Sequence, residues 1–135
     1  MPDGATPRRI RVLIVDDHPV VRNGLTTLLS AEDDFIVVGA GADGEEGIAL
    51  AVEERPDIVL MDYSMPGMDG VEASRRIRDA IPDTRVVFLT SFSDRDKMVA
   101  AFRSGAVSYL LKDSEPEKLI RGIRNAAESI GQIDK

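Results

Sequence analysis

The chain contains no cysteine, which excludes a disulfide framework, thiolate chemistry and cysteine-based zinc sites and makes a reducing, cytoplasmic setting the expected one. No apolar run approaches the roughly 18 residues that a membrane-spanning helix needs. The first eight residues are polar, with two prolines and a glycine, and lack the apolar centre of a signal peptide; residues 1–8 are expected to form a flexible N-terminal tail. A basic face is missing too. At a net charge of −7 the chain is repelled by nucleic-acid phosphates and is not expected to grip DNA by itself. What is present is one acidic domain of 135 residues, long enough to bury a core without metal or disulfide staples.

Arg9 to Val15 is a β-branched, apolar run that ends on Asp16 and Asp17. Pro19 suits the first turn of a helix, and Val21, Leu25, Leu28 and Leu29 recur on one helical face. Phe35 to Ala40 predicts a second strand, followed by an Asp43 cap with Glu46 three residues on. The helix it starts has Ile48, Ala49, Ala51 and Val52 as its apolar side and stops at Pro56. Ile58 to Met61 shows no polar alternation, as in a parallel strand covered on both faces, and ends on Asp62. Asp69 can cap a third helix that runs through Ile81, with Ala73, Ile77, Ala80 and Ile81 turned inward and Arg75, Arg76 and Arg78 left to solvent.

Arg85 to Thr90 is a fourth strand, and Ser93 with Asp96 forms a cap pair for a helix carrying Met98, Val99, Ala101 and Phe102 up to a C′ glycine, Gly105. Val107 to Leu111 is the fifth strand and leads to Lys112. Ser114 and Glu117 make a capping box for a last helix with Leu119, Ile120, Ile123, Ala127 and Ile130 on its apolar face. Five such β-α units predict an α/β protein: a flavodoxin-like (βα)5 doubly wound parallel sheet. With no glycine fingerprint after the first strand, the order 2-1-3-4-5 is favoured over a dinucleotide-binding one.

Four of the five strand ends carry chemistry: Asp16 and Asp17, Asp62, Thr90 and Lys112. Any one of them reads equally as a turn cap or a solvated charge, but in the order 2-1-3-4-5 those four ends converge where parallel sheets bind ligands. Three neighbouring carboxylates repel one another and call for a cation. All-oxygen donors without cysteine or clustered histidine select Mg²⁺, or Mn²⁺, over zinc. A hydroxyl and an ammonium beside them suit the oxygens of a phosphoryl group, with Asp62 as candidate nucleophile forming an aspartyl phosphate. His18, the only histidine, reads at a helix start as packing or capping rather than as a phosphocarrier or metal ligand.

The pieces Val15-Asp16-Asp17-His18-Pro19-Val20-Val21-Arg22, Asp62 to Gly70, Leu89-Thr90-Ser91 and Gly105-Ala106 through Tyr109-Leu110-Leu111-Lys112-Asp113 resemble the receiver domain of a two-component response regulator, in the branch with a LuxR-type helix-turn-helix output. The resemblance runs from about Arg9 to Gly131, and Asp16, Asp17, Asp62, Thr90 and Lys112 all match the family pattern. It implies that Asp62 is the phosphoacceptor. Asp17, Asp62 and the Ser64 backbone carbonyl would then bind Mg²⁺ directly, with Asp16 acting through a water. Thr90 and Lys112 would hold phosphoryl oxygens, and Tyr109 would swing inward with Thr90 on activation. Ser64 and Phe92 would flank the path of the hydrolytic water. Further implications are a sensor histidine kinase as partner, a homodimer on phosphorylation, and DNA contact only through a C-terminal domain absent from this chain. Residues 9–131 would form the receiver and 132–135 the start of a linker. Such a protein is not an enzyme turning over an external substrate. Two alternatives stand beside it: a Mg²⁺-dependent phosphatase with an Asp nucleophile, weakened by Ser64 where the second acid is needed, and a flavin-binding module on the same fold.

Overall fold

A computed structural model describes residues 9–91 and 95–133; the expected tail, Phe92, Ser93 and the last two residues of the expected linker lie outside them. Strands and helices alternate: β1 (Ile10–Val15), α1 (Pro19–Ser30), β2 (Phe35–Gly41), α2 (Gly44–Glu54), β3 (Ile58–Asp62), α3 (Gly70–Ala80), β4 (Arg85–Thr90), α4 (Arg95–Arg103), β5 (Ser108–Leu111) and α5 (Pro116–Ile133). The five strands form one parallel sheet in the order β2-β1-β3-β4-β5, the predicted topology. No described helix is long and apolar enough to cross a membrane.

Side chains on a strand alternate between the two faces of the sheet, and the core divides accordingly. Val12, Ile14, Ile58, Leu60, Val87 and Leu89 pack with Leu25 and Leu29 of α1 and with Leu119, Ile120 and Ile123 of α5. Their neighbours Leu13, Val15, Val59, Met61, Val86 and Phe88 pack with Ala51, Ala73, Ile77 and Ala101 of α2, α3 and α4. The central strand β3 is buried along its whole length, which is why it carries no polar alternation. The Asp43 and Asp69 caps form as expected, each accepting at 2.8 Å from the backbone N–H three residues on, and Glu46 reaches back to the Ala42 N–H.

Several expected helix faces differ. In α2 the buried residues are Gly44, Gly47 and Ala51, Gly47 lying so close to Val15 of β1 that only glycine fits, and Ala49 and Val52 turn outward. In α3 Ala80 is exposed while Ser74 is buried. In α4 only Ala101 of the four expected residues is buried; Met98, Val99 and Phe102 are 39%, 41% and 46% exposed. These three lie at i, i+1 and i+4, one stripe of the helix, and that stripe faces away from the sheet. The last helix starts on Pro116 and runs through Ile133. Ser114 is therefore one residue outside the expected capping register, and residues 132 and 133 of the expected linker are helical.

Gly70, at the start of α3, is where the site presses on the fold: a Cβ there would run into the Asp62 carbonyl and the Phe88 ring. Gly24, within α1, has open space around it. Gly70→Ala should therefore destabilise the protein by roughly 1–3 kcal/mol through overpacking. Gly24→Ala should stabilise it by about 0.5–1 kcal/mol through helix propensity. Urea unfolding midpoints shifted in the same direction for both variants would contradict this.

Candidate functional site

The sheet delivers its polar side chains by carrying the ladder one residue past the strands. The Asp16 N–H donates to the Gly41 carbonyl at 3.0 Å, the Tyr63 N–H to Leu89 at 2.9 Å and the Lys112 N–H to Thr90 at 2.7 Å. The Tyr63 bond fixes the backbone just after Asp62, and the Lys112 bond sets that residue beside Thr90. Asp16, Asp62 and Thr90 are buried, and Asp17 is partly exposed. The Gly70 N–H closes the turn after β3 by donating to Tyr63 at 3.2 Å, and Ser64 follows Asp62 with its N–H 3.3 Å from Asp62 Oδ1.

Lys112 holds the acids together. Its Nζ lies 2.8 Å from Asp16 Oδ2 and 3.1 Å from Asp62 Oδ1. The other oxygen of Asp16 accepts the His18 backbone N–H at 2.8 Å, as aspartates do in Asx turns. The Asp16 carbonyl takes Arg22 Nη1 at 2.7 Å. Asp62 Oδ2, by contrast, is buried and receives no hydrogen bond. Three carboxylates thus face one ammonium. Burial, and then the charge of Asp16, push the Asp62 carboxyl up to about 6 against the opposing pull of Lys112. Burial alone would lower the affinity of Lys112 for its proton, but its bonds to Asp16 and Asp62 outweigh that and raise its pKa.

The arrangement fits a divalent cation. Donor atoms of Asp16, Asp17, His18 and Asp62 all lie within 4.8 Å of one another, Asp62 Oδ2 lacks a partner, and the acids outnumber the bound ammonium. A hard cation with oxygen ligands relieves such an excess.

The sequence profile of the response regulator receiver domain matches residues 12–124. The chain belongs to that receiver family. It is 47% identical over 125 residues to the transcriptional regulatory protein LiaR of Bacillus subtilis, covering 93% of this chain and 59% of the relative. It is 40% identical over 116 residues to the nitrate/nitrite response regulator protein NarL of Escherichia coli K12, covering 86% of this chain and 54% of the relative. The receiver thus spans little more than half the length of these relatives. Among solved structures, the signal receiver domain of the putative response regulator NarL from Mycobacterium tuberculosis aligns with a TM-score of 0.86 at 34% identity, covering 90% of this chain and 98% of that one. A two-component response regulator of the LuxR family from an Aurantimonas species aligns with the same TM-score at 36% identity, covering 90% of this chain and 86% of that one.

Of the residues singled out in the sequence, the receiver brings Asp16, Asp17, Asp62 and Lys112 into one cluster, with Thr90 buried at the next strand end. Tyr109 is partly buried and meets the Tyr63 ring edge-on at 6.2 Å; Tyr63 in turn meets Phe88 at 5.5 Å. His18 departs from its expected role. Although His18 is the N-cap residue of α1, its side chain makes no cap bond and is 61% exposed. Nδ1 stands 3.0 Å from Asp16 Oδ1 and 3.1 Å from Asp17 Oδ1. Arg22 was also absent from the expected site; its i, i+4 spacing from His18, on the turn that starts α1, is the signal that could have placed it there.

A carboxyl raised from 3.8 to about 6 binds its proton more tightly when folded. The folded state therefore holds more protons between those values, and stability from this group is full below about 4 and lost as pH rises through about 6. In EDTA, Asp62→Asn should gain on the parent as pH rises from 4 to 7, by on the order of 2–3 kcal/mol. A gain that is equal at both ends of that range, read from urea midpoints, would contradict the burial argument.

Proposed function

We propose that this receiver is a phosphorylation-activated signalling switch that takes a phosphoryl group on Asp62 from a partner sensor histidine kinase. The observation that carries the reading is Asp62 itself: one oxygen is held by Lys112 at 3.1 Å, and the other is buried without a donor, so an acceptor atom is oriented and unspent. Asp62 attacks phosphorus as its bond to the donor nitrogen breaks in line, and the histidine leaves with the electron pair. Lys112 then follows the phosphoryl oxygens as a point charge, and Thr90 supplies a hydroxyl donor. A bound Mg²⁺ would neutralise carboxylate and phosphoryl charge. Asp17 and Asp62 would hold it together with the Ser64 carbonyl. Both oxygens of Asp16 are already engaged, by Lys112 and by His18, which suits a role through water.

In this reading residues 9–131 are the receiver, 1–8 a tail and 132–135 the start of a linker to a DNA-binding domain, and the chain acts in the cytoplasm as a switch rather than on an external substrate. The similarity to the transcriptional regulatory protein LiaR, of which this chain covers 59%, supports an output in transcription. The outward stripe of Met98, Val99 and Phe102 on α4 supports a surface that something covers. Thr90 and Tyr109 drawn toward the phosphoryl group would repack that side, a local charge converted into an altered interface.

Acetyl phosphate with Mg²⁺ should add the mass of one phosphoryl group, stable in acid and labile in base. Asp62→Asn or EDTA should abolish the addition, and Asp17→Ala should weaken Mg²⁺ binding at least about tenfold. Labelling that persists in Asp62→Asn would sink the assignment. For the output, beryllofluoride with Mg²⁺ should raise the mass seen by light scattering toward a dimer in the parent and not in Asp62→Asn. Two monomeric forms at high concentration would exclude receiver dimerisation as the switch.

A further inference from the structure

His18 is the only histidine of the chain, and phosphoryl transfer as derived above does not use it. Its side chain is 61% exposed, so water could serve both ring nitrogens. Nδ1 is instead held over two carboxylates, 3.0 Å from Asp16 Oδ1 and 3.1 Å from Asp17 Oδ1. The backbone fixes it there: the His18 N–H is bonded to Asp16 Oδ1 at 2.8 Å, and its carbonyl accepts the Arg22 N–H at 3.0 Å as α1 begins.

Those spacings suit a coordination polyhedron. Around an octahedral ion with donors at about 2.1 Å, adjacent donors stand about 3.0 Å apart and opposite ones about 4.2 Å. The donor atoms of Asp16, Asp17, His18 and Asp62 lie within 4.8 Å of one another, within about 0.6 Å of the span between opposite donors. Asp62 Oδ2, in the same cluster, is buried and receives no hydrogen bond, which suits it to a cation. Lys112 and the His18 backbone already occupy Asp16. The remaining donors are therefore two carboxylates and an imidazole.

We propose that His18 Nδ1 is a ligand of this site for divalent ions that accept imidazole, with Zn²⁺ as their representative, and that it gives the pocket a selectivity that carboxylates alone would not. This rests on the cation-binding reading of the acid cluster. Mg²⁺ takes hard oxygen donors, whereas imidazole suits zinc and nickel. The histidine binds as its neutral tautomer, the proton residing on Nε2 and the lone pair of Nδ1 going to the metal.

A single histidine makes the test unambiguous in protein free of a purification tag. Zn²⁺ and Mg²⁺ are titrated calorimetrically into the parent, His18→Ala, and His18→Asn, which places a favoured N-cap residue at the start of α1; the imidazole nitrogens are followed by ¹⁵N NMR. The expected result is a Zn²⁺-induced shift of Nδ1 that Mg²⁺ does not produce. Both variants should show a fall of about tenfold or more in the ratio of Zn²⁺ to Mg²⁺ affinity. Ring nitrogens unmoved by Zn²⁺, or variants that weaken both ions equally, would overturn the proposal and leave the ring as a proton bridge between two acids. A parent that binds Zn²⁺ through His18 but no Mg²⁺ at all would support this assignment and defeat the Mg²⁺-dependent switch.

Discussion

Three carboxylates and one ammonium share the carboxyl edge of the sheet, and the Lys112 bridge between Asp16 and Asp62 is what lets the fold tolerate them. Burial, and then the charge of Asp16, raise the pKa of Asp62. Lys112, reaching across from the end of β5, offsets part of that cost and bridges both acids in doing so. Because it satisfies only one oxygen of Asp62, the edge keeps an excess of negative charge, which a cation would offset. The site is thus a local excess of charge held in place by a large apolar sheet.

That sheet supplies the rigidity. Every residue of β3 is buried, and both of its neighbours pair with it in parallel register, so Asp62 cannot move without disturbing two core clusters. Gly70 brings the start of α3 against the Asp62 carbonyl, and the rings of Tyr63 and Phe88 fill the space beside it. Moving the Asp62 carboxylate would require repacking both sides of the sheet, while its charge environment can change freely. Chemistry and fold are separated at a single residue.

The strand ends were legible in the sequence because burial on both faces removes polar residues from a central strand, so the first carboxylate, hydroxyl or ammonium after each run marks where it leaves the core. The topology rule then brought four of those ends together. Helix faces were less legible. In α4 the apolar residues at Met98, Val99 and Phe102 satisfy a helical period, and period alone does not say whether the stripe meets the sheet or solvent. In α2 the contact is made by Gly47, where a Cβ would collide with Val15; a close approach by glycine leaves no hydrophobic signal. His18 was misplaced for a related reason. Its position at a helix start suggested a cap, but the backbone turn that bonds its N–H to Asp16 carries the ring to the acids instead.

The two sides of the sheet also differ in how firmly their outer helices are held, and that difference bears on where a change at the site can travel. On one side Arg124 of α5 pairs with both oxygens of Asp34 at 2.8 and 3.1 Å and with Glu32 at 3.2 Å, and its guanidinium lies 5.5 Å from the Phe35 ring. The pairing lowers the pKa of Asp34, and Leu119, Ile120 and Ile123 anchor the same helix in the core. On the other side the described part of α4 buries Ala101, and its following turn is tied by Arg78 to the Gly105 carbonyl at 3.2 Å. Exposed ion pairs contribute little by themselves, but three buried aliphatic side chains against one methyl group is a large difference in burial. Segments with few buried apolar contacts are the first to rearrange. A displacement that begins at Thr90, at the end of β4, therefore meets less resistance toward α4 than toward α5, and α4 is also the helix whose apolar stripe already faces outward.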